Sequence, residues 1–525
     1  MAETLTPEAA SGRRREVMVV LPGLLLAMLL AMLDNMIVGT ALPRIVGELG
    51  GLDHFSWVVT SYILATTVST PLWGKIGDLY GRKNIFLTSI VIFLVGSALS
   101  GMSQTMGQLI GFRALQGLGA GGLIVGVMAI IGDLVPPRER GRYQGLMGGV
   151  MAIGMVAGPL LGGFITDNLS WRWAFYVNLP LGGIALFWLL TRLHLPKHRN
   201  AARIDWLGAG LLSVGITGLV LLTTWGGTRY PWGSWQIIGL GALALLALLA
   251  FAAVERRAAE PVLSLDLFRD RNFALISGIG FMLGFIMMGS INFLPTYQQT
   301  VQGASATNSG LLLLPVMFAM MIVSIVVGQV ITRTGRYKVF PIVGGIAMTA
   351  GMILLSFVDV NTTKTQLALM MVVLGLGMGG LMQTTLLIAQ NSVGPKDIGV
   401  ASSAATFFRS IGGSFGVALF GTIFVRQFKG DVAATLGPEA ADAIASGGGG
   451  QMDPHRLAAL PAPIRDVIYH GIATGLGSIF VWAIPFAAVV AVLAVFIKEI
   501  KLRGHEDEAS EADQAPAAPV LAVRD

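Results

Sequence analysis

The 525-residue chain contains no cysteine. That excludes disulfides, thiolate nucleophiles and cysteine-held metal centres. Charge is scarce as well: Asp, Glu, Lys and Arg make up 12% of the residues, against about 25% in a soluble protein. The six histidines show no metal-ligand spacing. No GxxxxGK loop followed by Ser or Thr is present to cradle a nucleotide phosphate, which disfavours an ATP-driven pump. With no nucleophile, metal cluster or phosphate cradle in view, an enzyme is the least favoured class.

What is there is apolar. Hydrophobic residues make up 54% of the chain, and runs of roughly 20 of them recur, the length that crosses a bilayer as helix. The expectation is an all-α polytopic membrane protein. Spans are placed at 17–42, 55–73, 84–102, 108–134, 143–166, 173–194, 205–225, 235–254, 273–296, 308–331, 339–358, 366–390, 400–426 and 471–497, fourteen in all. The first run is too long for the core of a removable signal peptide. Lys and Arg divide unevenly between the two sides. The N-tail, the loops after even-numbered spans and the C-tail hold 25; the loops after odd-numbered spans hold eight. The positive-inside rule then puts both termini in the cytoplasm. The pI near 9.6 reflects this topology rather than a nucleic-acid partner. Arg outnumbers Lys, and Ala and Gly abound, which hints at a bacterial source and so at the inner membrane.

One segment occurs twice. GKIGDLYGRKNIF at 74–86 and GQVITRTGRYKVF at 328–340 share Gly74/Gly328, Gly81/Gly335, Arg82/Arg336 and Phe86/Phe340, each 254 positions apart (328 − 74). GLGAGG at 117–122 is echoed by GLGMGG at 375–380, and VPPRERG at 135–141 by VGPKDIG at 393–399. Two helical halves related by duplication, with a site between them, is a transporter plan. The division expected is an N-tail at 1–16, a six-helix bundle at 17–195, a two-helix insertion at 196–256 and a second bundle at 257–498. That second bundle includes a long external loop at 427–470, carrying GGGG at 447–450, and a disordered C-tail follows at 499–525. Asp78 has no counterpart in the second copy, where Thr332 stands.

These motifs resemble the major facilitator superfamily, in its fourteen-helix drug:proton antiporter branch. GKIGDLYGRK is similar to the loop between the second and third helices. FRALQGLGAGG at 112–122 resembles the fourth-helix motif with its buried Arg, and GMVAGPLLGG at 154–163 the fifth-helix antiporter motif. LDNMIVGTALP at 33–43, WRWAFYVNLPLG at 171–182 and the segment 293–315 are similar to that branch too. Met36 and Gly39 depart from it, standing where the family usually has Thr and Asn. The tenth span lacks the second carboxylate of dication-handling members.

An ionisable residue inside a span is costly and marks function by default. Three lie deep: Asp34, Arg113 and Arg409. Asp34 and Arg113 sit at similar depth in one half and are expected to pair as a proton switch; the resemblance implies the same. The competing role is a static pair that fixes helix packing. Arg409 either snorkels to the cytoplasmic surface or lines a cavity. Gly154, Gly158, Gly162 and Gly163, with Pro159, permit a tight helix seam. In the 74–83 loop, Gly74, Asp78, Gly81, Arg82 and Lys83, with Asp133, form a candidate latch in which Asp78 caps a helix of the other half. Tyr62, Gln116, Asn292, Phe293, Tyr297, Gln298 and Gln383 are candidate cargo contacts.

The function expected is proton-driven efflux of lipophilic or cationic small molecules by a monomer in lipid, with the proton gradient in place of any cofactor. The alternative is a dedicated exporter of one endogenous metabolite. GPLLGG in span five argues against a nutrient symporter, and the intact latch and buried pair against a non-transporting sensor.

Overall fold

A computed structural model describes residues 7–49, 55–195, 205–227, 229–258, 261–263, 265–304, 311–394, 397–441, 460–500 and 502. The regular structure of the described residues is helical, save one isolated bridge between Gly226 and Tyr230. The first half contains α1 (Pro7–Leu49), α2 (Phe55–Tyr80), α3 (Arg82–Met102), α4 (Met106–Leu134), α5 (Pro137–Asn168), α6 (Trp173–Tyr176) and α7 (Asn178–Arg192). Two further helices follow, α8 (Trp206–Trp225) and α9 (Trp235–Glu255). The second half contains α10 (Arg271–Ile291), α11 (Leu294–Thr300), α12 (Leu314–Thr334), α13 (Val339–Leu355), α14 (Lys364–Asn391), α15 (Ile398–Leu436) and α16 (Ala462–Val495).

Among the described residues, eleven segments are long and apolar enough to cross a membrane, counting α6–α7 and α10–α11 as continuous. The expected fourteen differ from these by α13, which has 17 residues, and by α2 and α5. The last two carry polar residues and glycines because much of their surface meets protein rather than lipid. Thr66, Thr67 and Thr70 of α2 satisfy their hydroxyls on carbonyls one turn back, the local bond such side chains make in helices.

Other boundaries also move. The segment 74–83 is helix rather than loop. α2 runs through to Tyr80, only Gly81 breaks it, at φ 97, and Arg82 already opens α3. Three expected spans are broken, each close ahead of a Leu-Pro pair: α7 opens on Asn178-Leu-Pro180, α11 follows Phe293 with Leu294-Pro295, and α12 follows a turn at 312–313 with Leu314-Pro315. Proline suits the first turn of a helix because its missing N–H is not needed there. The expected 427–470 loop is shorter, since α15 extends to Leu436 and α16 begins at Ala462. GGGG at 447–450 and the tail from 503 lie outside the described residues.

The duplication is visible in packing. Gly117, Gly119 and Gly121 of α4 pack against the Tyr62 carbonyl, the Phe93 backbone and the Thr66 carbonyl. Gly375, Gly377 and Gly379 of α14 meet the Val316 carbonyl, the Met348 backbone and the Met320 carbonyl. A Cβ at any of the six would collide with backbone, so each GLGxGG lets one helix nest against two neighbours. The buried core divides likewise. Two apolar clusters are drawn almost wholly from residues 17–193 and a third from 209–502. The inserted α8 and α9 contribute Leu212, Ile216 and Phe251 to that third cluster and form no core of their own.

Candidate functional site

The deepest polar cluster lies inside the first half. Asp34 of α1 and Arg113 of α4 are both fully buried. The Arg113 Nη1 donates to Asp34 Oδ2 at 2.6 Å and to Gln116 Oε1 at 2.8 Å. Gln116 lies one turn from Arg113 on α4, and its amide donates to Asp34 Oδ1 at 2.8 Å. Asn178, the first residue of α7, donates to the same oxygen at 2.7 Å and to Ser97 Oγ at 2.9 Å. The Ser97 hydroxyl in turn donates a hydrogen bond to the Phe175 carbonyl. The Arg113 guanidinium lies 4.0 Å from the centre of the Tyr62 ring, whose negative face favours a cation. Its Nε and Nη2 have no hydrogen-bond partner among the described residues.

Asp34 therefore accepts from three donors on two other helices. An ion pair this deep gains little for stability over apolar packing, and removing one partner leaves a buried charge. Of the candidate cargo contacts, Tyr62 and Gln116 belong to this cluster. Asn178 and Ser97 were not singled out in the sequence, since neither ionises; an amide amid the apolar residues of 173–194 was the signal available.

A second constellation joins the halves. Asp78 Oδ2, near the end of α2, accepts from the backbone N–H of Val400 in the first turn of α15 at 3.0 Å. Asp78 Oδ1 accepts from Arg82 at 2.7 Å, and Arg82 pairs with Asp133 at 2.5 Å. It also donates to the Ala129 carbonyl. A carboxylate is favoured at a helix N-terminus, where N–H groups point outward unpaired. Burial pushes the Asp78 carboxyl up to about 6, against the pull of Arg82 and the Val400 amide. Around this bond the halves close tightly: a side chain at Gly74 would strike Ser403 and the Gly399 carbonyl. Gln390 donates to the Met128 carbonyl, and Thr406 reaches the Met128 sulfur. Gly81 supplies the break between α2 and α3. Lys83 stands apart from this set, donating to the Leu190 carbonyl near the end of α7.

The α5 glycines divide by face. Gly154, Gly158 and Gly162 pack against Met32, Met36 and Thr40 of α1, the helix that carries Asp34. Gly163 has nothing within 4 Å of where a side chain would begin. Pro159 lies in the same helix, its ring outside the described residues. The second-half cargo candidates are scattered. Tyr297 is fully buried and donates to the Asp359 carbonyl. Gln298 is buried beside Met371, Gln383 is buried in α14, Asn292 is exposed at the α10–α11 break, and Phe293 lies against Phe424. Arg409 is half-buried in α15.

A sequence profile of the Major Facilitator Superfamily matches residues 24–417. The chain is 36% identical to the multidrug transporter protein MdtP of Bacillus subtilis, over 97% of this chain and 98% of that one. It is also 36% identical to multidrug resistance protein 3 of the same organism, over 90% and 92%. Among solved structures it resembles that of the proton:xylose symporter XylE bound to 6-bromo-6-deoxy-D-glucose. There the TM-score is 0.59, at 15% identity, covering 95% of this chain and 99% of that one.

Proposed function

This chain belongs to the major facilitator superfamily and is a multi-pass membrane transporter, not an enzyme, and we propose that it exports lipophilic or cationic small molecules in exchange for protons. The observation that carries this reading is the buried Asp34–Arg113 pair with its amide donors. Every neighbour of the carboxylate donates, so a proton on Asp34 has no place until a donor moves. Moving α1 against α4 and α7 in the transport cycle would supply that movement and tie proton uptake to the change of access.

The cargo would leave by alternating access. The Asp78–Val400 bond and the contacts at Gly74 and Met128 close one end, which the Lys and Arg distribution assigns to the cytoplasm of a bacterial cell. The described state is then the outward-facing one, with both termini inside and the proton gradient as the energy source. The chain works in this reading as a monomer. Met32, Met36 and Thr40, fitted into the α5 glycines, seal the helix on either side of Asp34 against proton leak. Export of a single endogenous metabolite would use the same chemistry; the relatives named for multidrug transport, aligned over nearly their whole length, favour the broader cargo. The test is cargo-induced proton release in proteoliposomes. Wild type should release protons on adding cargo, and Asp34→Asn should not; coupled transport unchanged in that variant would end the proton assignment.

A further inference from the structure

Among the described residues Arg409 is a cation without a counter-ion. It lies 11 residues into α15 from Ile398 (409 − 398), roughly 16 Å along the helix at 1.5 Å per residue. Its own side chain is too short to cover that distance, so it does not snorkel to the surface at that end. Gly284 of α10 has no side chain and lets the two helices touch at the Arg409 backbone. No carboxylate and no hydrogen-bond acceptor among the described residues engages its guanidinium.

The sequence gives the reason. Between Arg271 and Lys429 the only acids are Asp359 and Asp397. Asp359 lies in the turn between α13 and α14, and Asp397 immediately precedes α15. None of α10, α12, α13 or α14 carries an acid within its length. In the first half, Asp34 is committed to Arg113, and Asp78 to Arg82 and Val400. At membrane depth the protein thus holds two guanidiniums, Arg113 and Arg409, against one carboxylate.

Val400, Ser403 and Thr406 meet the first half through Asp78, Gly74 and Met128. Arg409 comes one turn after Thr406; Ser403 and Thr406 are buried, whereas Arg409 is half-buried and Ser410 exposed, so the close packing of the seam ends there. A charged residue inside a span is costly and marks a substrate or ion pathway by default. A guanidinium presents a planar fork of donors that fits carboxylate, sulfonate or phosphate oxygens two at a time.

We propose that Arg409 is an anion-binding subsite of the cargo path, so that favoured cargo is an apolar molecule carrying one carboxylate or similar anionic group. This rests on the export reading above, in its lipophilic rather than its cationic form. Exchanged for a proton, an anion moves one more charge across the membrane per cycle than a neutral molecule does, so an interior-negative potential helps it more.

A fluorescent aromatic carboxylic acid and its neutral methyl ester form the matched probes, with a lipophilic cationic dye as a third. Export is followed in vesicles with wild type, Arg409→Gln and Arg409→Lys. The expected result is a roughly ten-fold fall in acid export for the Gln variant, with ester and cation little changed. The Lys variant should recover part of the loss, and an imposed interior-negative potential should speed the acid more than the ester. Equal export of acid and ester by wild type, or an equal fall for all three probes in the Gln variant, overturns the subsite while leaving the export reading standing. Failure of wild type to move any probe overturns the export reading itself.

Discussion

Asp78 in the first half holds the backbone amide of Val400 in the second, oxygen to nitrogen at 3.0 Å. The contact is a side-chain cap made across the seam between two bundles, and it also receives Arg82. A hydrogen bond to a charged group contributes about 1.5–3 kcal/mol, which is roughly a ten- to hundred-fold change in a conformational equilibrium. Asp78→Ala should therefore shift the population toward the state in which this end is open. The chain has no cysteine, so spin labels at Tyr80 and Gly394 can be introduced without background. Their distance distribution should broaden and lengthen in Asp78→Ala; an unchanged distribution would show that the bond does not hold the seam.

The same residue sets a pH dependence. Burial is the larger influence and raises the Asp78 carboxyl from 3.8 to about 6. A raised value means that the closed seam binds a proton more tightly than an arrangement with Asp78 in water. The contribution is complete below about pH 4 and is lost as the pH rises through about 6. The labelled pair should thus shift toward the short distance on acidification across that window. Asp78→Asn, which resembles the protonated form, should hold the acid-side distribution at every pH. A pH response surviving in Asp78→Asn would assign the effect to another group.

The sequence made Asp34 and Arg113 findable because ionisable residues inside apolar spans are few. It hid Asn178, an uncharged residue in a stretch notable for its aromatics. The 74–83 segment looked like a loop because glycine and charge alternate there. Tertiary contact decides otherwise, since Gly74 in mid-helix is what admits Ser403 to the seam. Tyr297 and Gln298 illustrate a limit of another kind. A membrane helix is apolar all round, so no periodicity shows which face meets lipid, core or cavity, and the structure turns both residues into the second-half core. Arg409 is visible as a deep charge and the scarcity of acids around it in sequence is legible too, but which helices pack against it is not.

Gly162 and Thr40 test the α1–α5 seam. A methyl group at 162 would overlap the Thr40 hydroxyl, with the Ile37 carbonyl next nearest. Overpacking of this kind costs about 1–3 kcal/mol. Gly162→Ala should lower the thermal midpoint of the detergent-solubilised protein, and Thr40→Ala should recover most of that loss by removing the obstructing oxygen. Gly163→Ala, where nothing lies within 4 Å, should leave the midpoint unchanged. If the alanine at 163 destabilises as much as the one at 162, the seam is not the reason that α5 carries these glycines.

Gln116 and Asn178 converge on a single oxygen, Asp34 Oδ1, at 2.8 and 2.7 Å. Each reaches it from a different helix, so each alone keeps the carboxylate partly held when the other is removed. Gln116→Ala and Asn178→Ala should separately slow cargo-coupled proton release, on the order of ten-fold for a charge-assisted bond. Because both bonds end on one atom, the double variant should depart from the sum of the single effects by about 0.5–3 kcal/mol, as contacting residues do. Asn178→Ala also strips Ser97 of the donor it accepts from, so Ser97→Ala serves as the control and should cost less than either amide. Strictly additive losses, with Ser97→Ala as harmful as Asn178→Ala, would mean that Asn178 acts through helix packing rather than through Asp34.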